Sequence, residues 1–167
     1  MDIDNLYDSG ITYEEFMSQD EGAYIGKMLE IYNNIEINDE LLTKINSINK
    51  RINVLVFAEI WCPDCVINLP ALKKICDLNK SVEMKIVSRE GNEKHFHAYG
   101  FKDKLKIPTF VFMDTKFKVL GTFIEIPSVI KEIMAKGDQV DTIVAKRKYR
   151  KGEFTKETIE DILRIIT

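Results

Sequence analysis

Apolar positions along the chain keep helical spacing up to about residue 50 and strand-like spacing after it. Thr12-x-x-Glu15 has the spacing of a capping box, in which each side chain satisfies an orphan amide at a helix start. Tyr24, Ile25, Met28, Leu29 and Tyr32 then recur with a helical period, and after the turn-like Asn33-Asn34 the side chain of Asn38 can cap a helix carrying Leu41, Leu42, Ile45 and Ile48 in one stripe. From Ile52 the run Ile-Asn-Val-Leu-Val-Phe-Ala is β-branched and nearly continuously apolar, as a strand buried on both faces should be. A helix beginning at Cys62 follows, and Val82, Met84 and Ile86 alternate with charged neighbours in a second strand. Strand, helix, strand predicts a parallel crossover. A short helix over residues 93–99 leads to Ile107-Pro108. Residues 109–113 and 117–123 are two strands whose short link at Asp114-Thr115-Lys116 makes them a hairpin. Pro127 and Ser128 open a helical region toward Tyr149, interrupted at Gly137, and residues 155–166 form an amphipathic helix with Ile159, Ile162, Leu163 and Ile166 on one face.

A chain of 167 residues is long enough for one domain with a full core. The patterning divides it into a helical segment over 1–50, a central unit over 51–136 and C-terminal helices over 137–167. The helical segment over 1–50 reads as cover for one side of the core rather than as a partner-binding arm. With 45% hydrophobic and 31% charged residues, a long disordered tract is excluded. A net charge of −3 gives no general attraction to polyanions, so neither nucleic acid nor an anionic membrane is an expected partner. The opening MDIDNLYDSG has three aspartates and no base, unlike a secretory signal, and no apolar run approaches a membrane span. These features lead to the expectation of a soluble, cytoplasmic protein. Its three cysteines, two of them in Cys62-Pro63-Asp64-Cys65, do not form a secreted disulfide framework and point to reactive or metal-binding thiols.

Trp61-Cys62-Pro63-Asp64-Cys65 follows the buried strand directly, and Pro70 lies eight residues after Cys62 within the next helix. Ile107-Pro108-Thr109 precedes the hairpin and Gly121 lies near its end. In this order they resemble the thioredoxin family over residues 52–136. The resemblance implies an α/β, thioredoxin-like fold: a central four-stranded mixed sheet in the order 2-1-3-4, flanked by helices, here with an added N-terminal helical segment. It implies a thiol–disulfide oxidoreductase that needs no cofactor. Its substrates would be disulfide-containing proteins or small molecules, and an upstream dithiol reductase would restore it. The resemblance also implies a cis-proline at Pro108 set against the cysteines. The backbone of Ile107 would pair with an extended substrate in a groove running past Ile107, Pro108, Thr109 and Trp61. One departure stands out: thioredoxins usually carry a buried aspartate on the central strand, where this chain offers only Leu55 or Val56.

With Cys62 as N-cap and Pro63 at the first helical position, the Cys62 sulfur lies at the positive end of the helix dipole, where a thiolate is stabilised. Cys62 is then the nucleophile, and Cys65, one turn inward, the resolving thiol. Asp64 opposes the thiolate, which suggests a reductase-like couple of roughly −200 to −280 mV. Asp64 also suits the first turn of a helix. Glu59, three residues before Cys62, is the nearest candidate to accept the Cys65 proton, with water as the other. A metal site needs three or four ligands. Cys76 lies about 16 Å beyond Cys65 on an intact helix, and His95 and His97 point to different sides of theirs. No metal is expected, and Cys76 reads as a small buried hydrophobe. The basic run 146–151 reads as a solvated helix end, and Phe96, Tyr99, Phe101, Phe110, Phe112, Phe117 and Phe123 as packing. The competing reading is a redox-sensing adaptor whose helical ends recruit a partner, which fold alone does not separate from an enzyme.

Overall fold

The computed structural model describes residues 2–98, 102 and 104–167. Strand β1 (Ile52–Phe57) is buried at every position, as its nearly continuous apolar run, interrupted at Asn53, requires. It pairs in parallel with β2 (Val82–Val87) and antiparallel with β3 (Thr109–Met113), which pairs antiparallel with β4 (Val119–Ile124). The sheet order is therefore β2-β1-β3-β4, the order implied by the resemblance. Register puts Val54 opposite both Met84 and Phe112, so the apolar centres of three strands stack in one layer. The hairpin's second strand begins later than the sequence pattern suggests. Phe117 lies in the left-handed region (φ +59°) and closes the turn with its N–H on the Asp114 carbonyl, so pairing resumes only at Val119.

Nine helices are resolved among the described residues: α1 (Ile3–Asp8), α2 (Tyr13–Ser18), α3 (Ile25–Asn34), α4 (Asp39–Asn46), α5 (Pro63–Leu78), α6 (Glu93–Ala98), α7 (Ser128–Ala135), α8 (Gln139–Arg150) and α9 (Thr155–Ile166). The Thr12–Glu15 capping box opens α2, and Asn38 caps α4 through the Leu41 N–H. Helix α6 ends within the described residues at Ala98; the aromatic positions Tyr99 and Phe101 lie outside them. The break between α7 and α8 falls at Gly137.

Helix α5 is the central helix, lying against α3, α9, α4, α8 and β2. Ten of its sixteen residues are buried, among them Leu69, Leu72 and Ile75. Each side chain of this size contributes about 1.5–3 kcal/mol on burial, so α5 is fixed mainly by packing. Beside the main core, Ile31, Ile67, Ile130, Ala145 and Tyr149 form a smaller cluster where α3, α5, α7 and α8 meet. Two glycines permit close approach. A Cβ on Gly121 would come within 2.8 Å of Ile165 Cγ2, so this position lets α9 lie on β4. Gly10 does the same beside Lys85. There Ile11 exchanges two main-chain hydrogen bonds with Ile86 (2.9 and 2.8 Å), covering part of the outer edge of β2. The sequence pattern showed neither α1 nor this bridge: α1 is too short to display a period.

Candidate active site

The β1–α5 connection delivers Cys62 as the N-cap of α5, with Pro63 at the first helical position and Cys65 within the first turn. Pro63 needs no hydrogen-bond partner there, and its fixed φ suits the helix. Both thiols are reduced and buried: Cys62 retains 5% of its surface and Cys65 none. The Cys65 thiol directed at the Cys62 sulfur is the main stabiliser of a Cys62 thiolate, followed by the amides of Cys65 and Asp64. Burial and the Asp64 charge act against it, and the balance leaves the Cys62 thiol pulled down to about 7. Cys65 moves the other way, chiefly through burial and then through the adjoining Cys62. The pair is thus split into a thiol that ionises near neutrality and one that holds its proton.

The Ile107–Pro108 peptide bond is cis, and the Cys62 Sγ lies 3.6 Å from the Ile107 carbonyl oxygen. Thr109 begins β3 and donates its hydroxyl to the Lys106 carbonyl at 2.6 Å, which ties the loop before Pro108 to the strand after it. Trp61 is half exposed beside the thiols, with the Arg89 guanidinium 5.7 Å from its ring centre. The Ile107–Pro108 segment is therefore brought to Cys62 from a distant part of the chain.

The Glu59 side chain is engaged with the loop after β2. Its Oε1 accepts hydrogen bonds from the Ser88 hydroxyl (2.5 Å) and the backbone N–H groups of Arg89 (2.8 Å) and Glu90 (3.3 Å), anchoring the loop after β2. It acts on Cys65 through its backbone amide, while the side-chain charges acting there are Cys62 and Asp64. Cys76 is buried, and burial pushes its thiol up to about 12.

Sequence reasoning missed a polar cluster behind the cysteines. Asp64 is partly withdrawn from solvent and accepts a 2.9 Å hydrogen bond on Oδ1 from the Tyr149 hydroxyl. Asn68, fully buried on α5, donates to that hydroxyl (2.7 Å), to the Asp64 carbonyl (2.9 Å) and to the Glu125 carbonyl (3.1 Å). Thr158 of α9 donates to Asn68 Oδ1 at 2.9 Å. Glu125 sits in the left-handed region (φ +67°), uncommon for a residue with a side chain, and its N–H bonds the Pro108 carbonyl at 2.7 Å. The cluster thus runs from the cis-proline through Glu125 and Asn68 to Tyr149 and Asp64. Burial raises the Asp64 carboxyl above its ordinary range; the Tyr149 bond opposes this, Glu125 adds to it, and Arg150 counters. The available signal was Tyr149 itself, an aromatic residue inside a basic run: the charged neighbours are solvated as expected, but the ring turns inward.

Among the described residues no helix is long and apolar enough to cross a membrane. No curated protein matches the chain. Its fold is similar over nearly its whole length to the crystal structure of a protein of unknown function from Pseudomonas aeruginosa, with 26% identity and a TM-score of 0.88 over 99% of this chain and 97% of that one. An HIV epitope-scaffold is similar to the same degree, with 26% identity and a TM-score of 0.87 over 99% and 98%. The family model for thioredoxin matches residues 10–142, a wider span than the 52–136 that carry the motifs, and takes in α2, α3 and α4. This fold implies redox partner proteins. With a cysteine pair opening the central helix and a match over most of its length, the chain belongs to the thioredoxin family and is a thiol–disulfide oxidoreductase.

Proposed function

We propose that the chain works as a single-domain cytoplasmic disulfide reductase with Trp61-Cys62-Pro63-Asp64-Cys65 as its active-site motif, Cys62 as nucleophile and Cys65 as resolving thiol. The observation that carries this reading is the placement of the two thiols at the start of one helix: Cys62 caps α5 with its Sγ 3.6 Å from the Ile107 carbonyl oxygen, and Cys65 is wholly buried in the first turn, in keeping with their opposite displacement, Cys62 down to about 7 and Cys65 upward. An ionised Cys62 attacks one sulfur of a substrate disulfide, and the bond between the substrate sulfurs breaks. The departing sulfur leaves as a thiolate and takes a proton from water. Cys65 then gives up its proton to water and attacks the Cys62 sulfur; the bond between Cys62 and the substrate sulfur breaks, and the second substrate thiolate leaves and takes a proton in turn. Two electrons pass to the substrate and the Cys62–Cys65 disulfide remains, to be reduced by an upstream dithiol. No cofactor is required.

An extended substrate segment lies along Ile107 and Thr109, on either side of Pro108, with Trp61 as an apolar wall; the small exposed area of Cys62 suits approach by a strand laid flush on the loop. A Cys62 thiol near 7 is ordinary for a reductase and far from that of strong oxidants, in keeping with a couple of roughly −200 to −280 mV. The test is catalytic turnover of insulin disulfides by the full chain, together with a Cys65→Ser variant that should retain substrates as mixed disulfides on Cys62. A single stoichiometric oxidation without turnover would favour the redox-sensing adaptor instead. A potential near that of the oxidant DsbA, about −120 mV, would refute the reductase direction.

A further inference from the structure

Asp64 carries the one acidic side chain between the two cysteines, and its carboxylate is not left to solvent. The Tyr149 hydroxyl is held at two points: it accepts from Asn68 Nδ2 and donates to Asp64 Oδ1. Asn68 is held in turn by Thr158 and by the Asp64 and Glu125 carbonyls. The tyrosine ring is locked in the apolar cluster with Ile31, Ile67, Ile130 and Ala145. The tyrosine hydroxyl is thus fixed in place, and it is the hydrogen-bond donor that the structure gives the Asp64 carboxylate. We propose that Tyr149 is a positioning residue of the redox site: it pins the Asp64 carboxylate against the start of α5 and so sets how strongly that charge opposes the Cys62 thiolate.

Four other groups act on the pair. Glu125, beyond β4, disfavours ionised Asp64 and is itself paired with Lys106 at 3.0 Å; Arg150 on α8 favours it; Cys62 and Cys65 lie on α5. Without the tyrosine hydroxyl the carboxylate has two outcomes. Where it stays in its partly desolvated place, it takes a proton more readily, because a hydrogen bond to its charged form has been lost. Where it stays charged, it is released toward water and its field at Cys62 is screened. Both weaken the opposition to the thiolate. Helices α8 and α9, far from the cysteines in sequence, thereby act on the chemistry.

This inference rests on the reading of Cys62 as nucleophile, and one experiment separates the two. The rate of Cys62 alkylation by iodoacetamide is followed against pH by mass spectrometry in the reduced full chain, the Asp64→Asn and Tyr149→Phe variants, and the double variant. Asp64→Asn should move the midpoint down by about one pH unit, the usual effect of removing one nearby like charge. Tyr149→Phe should move it in the same direction by about half as much, and should add nothing in the Asp64→Asn background, because its action passes through that carboxylate. Thr158→Val, which frees Asn68 Oδ1 and touches neither member of the pair, should give a smaller shift of the same sign and serves if Tyr149→Phe folds poorly. A midpoint unmoved in Tyr149→Phe, or moved equally with and without Asp64, overturns the proposal. Loss of insulin turnover in Cys62→Ser with such unmoved midpoints leaves the nucleophile reading standing and removes only this inference; full turnover in Cys62→Ser would remove both.

Discussion

Replacing Asn68 by alanine is expected to be among the most damaging single changes outside the cysteines. The side chain is wholly buried, and its amide nitrogen serves three acceptors with two hydrogens. Not all of its partners suffer equally when it is removed. The Asp64 carbonyl heads a helix and keeps a backbone donor of α5, and the Thr158 hydroxyl can fall back on the Phe154 carbonyl at 3.3 Å. The Glu125 carbonyl and the accepting side of the Tyr149 hydroxyl lose the donor that the structure gives them. Each buried group left unpaired costs about 1–3 kcal/mol, so the loss for the two is about 2–6 kcal/mol. That is a large share of the roughly 5–15 kcal/mol that holds a domain folded. Urea unfolding of the reduced protein measures it: with a slope of about 2 kcal/mol/M, the midpoint should fall by about 1–3 M at unchanged slope. Asn68→Asp should be no milder at neutral pH, because its carboxylate would face two carbonyl oxygens, and its penalty should ease as acid protonates it. A midpoint loss below about 0.25 M for Asn68→Ala, with two-state unfolding retained, would refute the hydrogen-bond reasoning.

The reduced chain should show Cys62 alkylation rising about tenfold per pH unit up to a midpoint near 7, with Cys65 and Cys76 unreacted; a midpoint at the ordinary thiol value of 9.0 would contradict the helix-end electrostatics. Cys76 keeps its proton in the fold but ionises in the unfolded chain near pH 8.5–9. The unfolded state therefore binds fewer protons above that range, and stability falls as pH rises toward about 12. Between pH 9 and 11, denaturation curves of Cys76→Ala should accordingly fall less steeply than wild type by about 1.4 kcal/mol per pH unit. Gly10→Ala would drive its Cβ to 2.8 Å from Lys85 Cβ and should cost about 1–3 kcal/mol in thermal or chemical unfolding. Glu59→Gln keeps an oxygen acceptor for the Ser88–Glu90 loop, so rapid-quench measurement should find mixed-disulfide resolution within about twofold of wild type; a tenfold slowing would return Glu59 to the role of proton acceptor.

The sheet was legible because its signals are local. A nearly continuous apolar run gave β1, alternation gave β2, and a three-residue link between apolar segments forced the β3–β4 hairpin. The placement of Cys62 at a helix start was legible for the same reason, since Cys-Pro followed by helical spacing is a start signal. The contacts between Cys62 and Ile107, and between Asp64 and Tyr149, span 45 and 85 residues and leave no periodic trace. The first came within reach through the family resemblance. The second did not, because a tyrosine among lysines and arginines reads as a solvated helix end unless one knows that the opposite face of α8 is buried.

Asp64 is where local and long-range effects meet. Sequence alone assigns it a charge opposing the thiolate, and in the fold the Asp64 charge is among the influences that disfavour Cys62 ionisation. Its weight is a different matter, because the Cys65 thiol and two backbone amides outvote it and leave Cys62 well below an ordinary thiol. An acid so placed on an open helix end would be screened by water and constrained by nothing. Here Tyr149 and Asn68 hold it in a partly dry site next to the cysteines, on the α8–α9 side of α5. Leu55 and Val56 leave no ionisable group on the central strand, so the carboxylate that answers to the redox pair is carried by the motif itself and fixed from outside it. The C-terminal helices thereby reach the redox site: removing their grip on Asp64 should change the chemistry at Cys62 before it changes the fold.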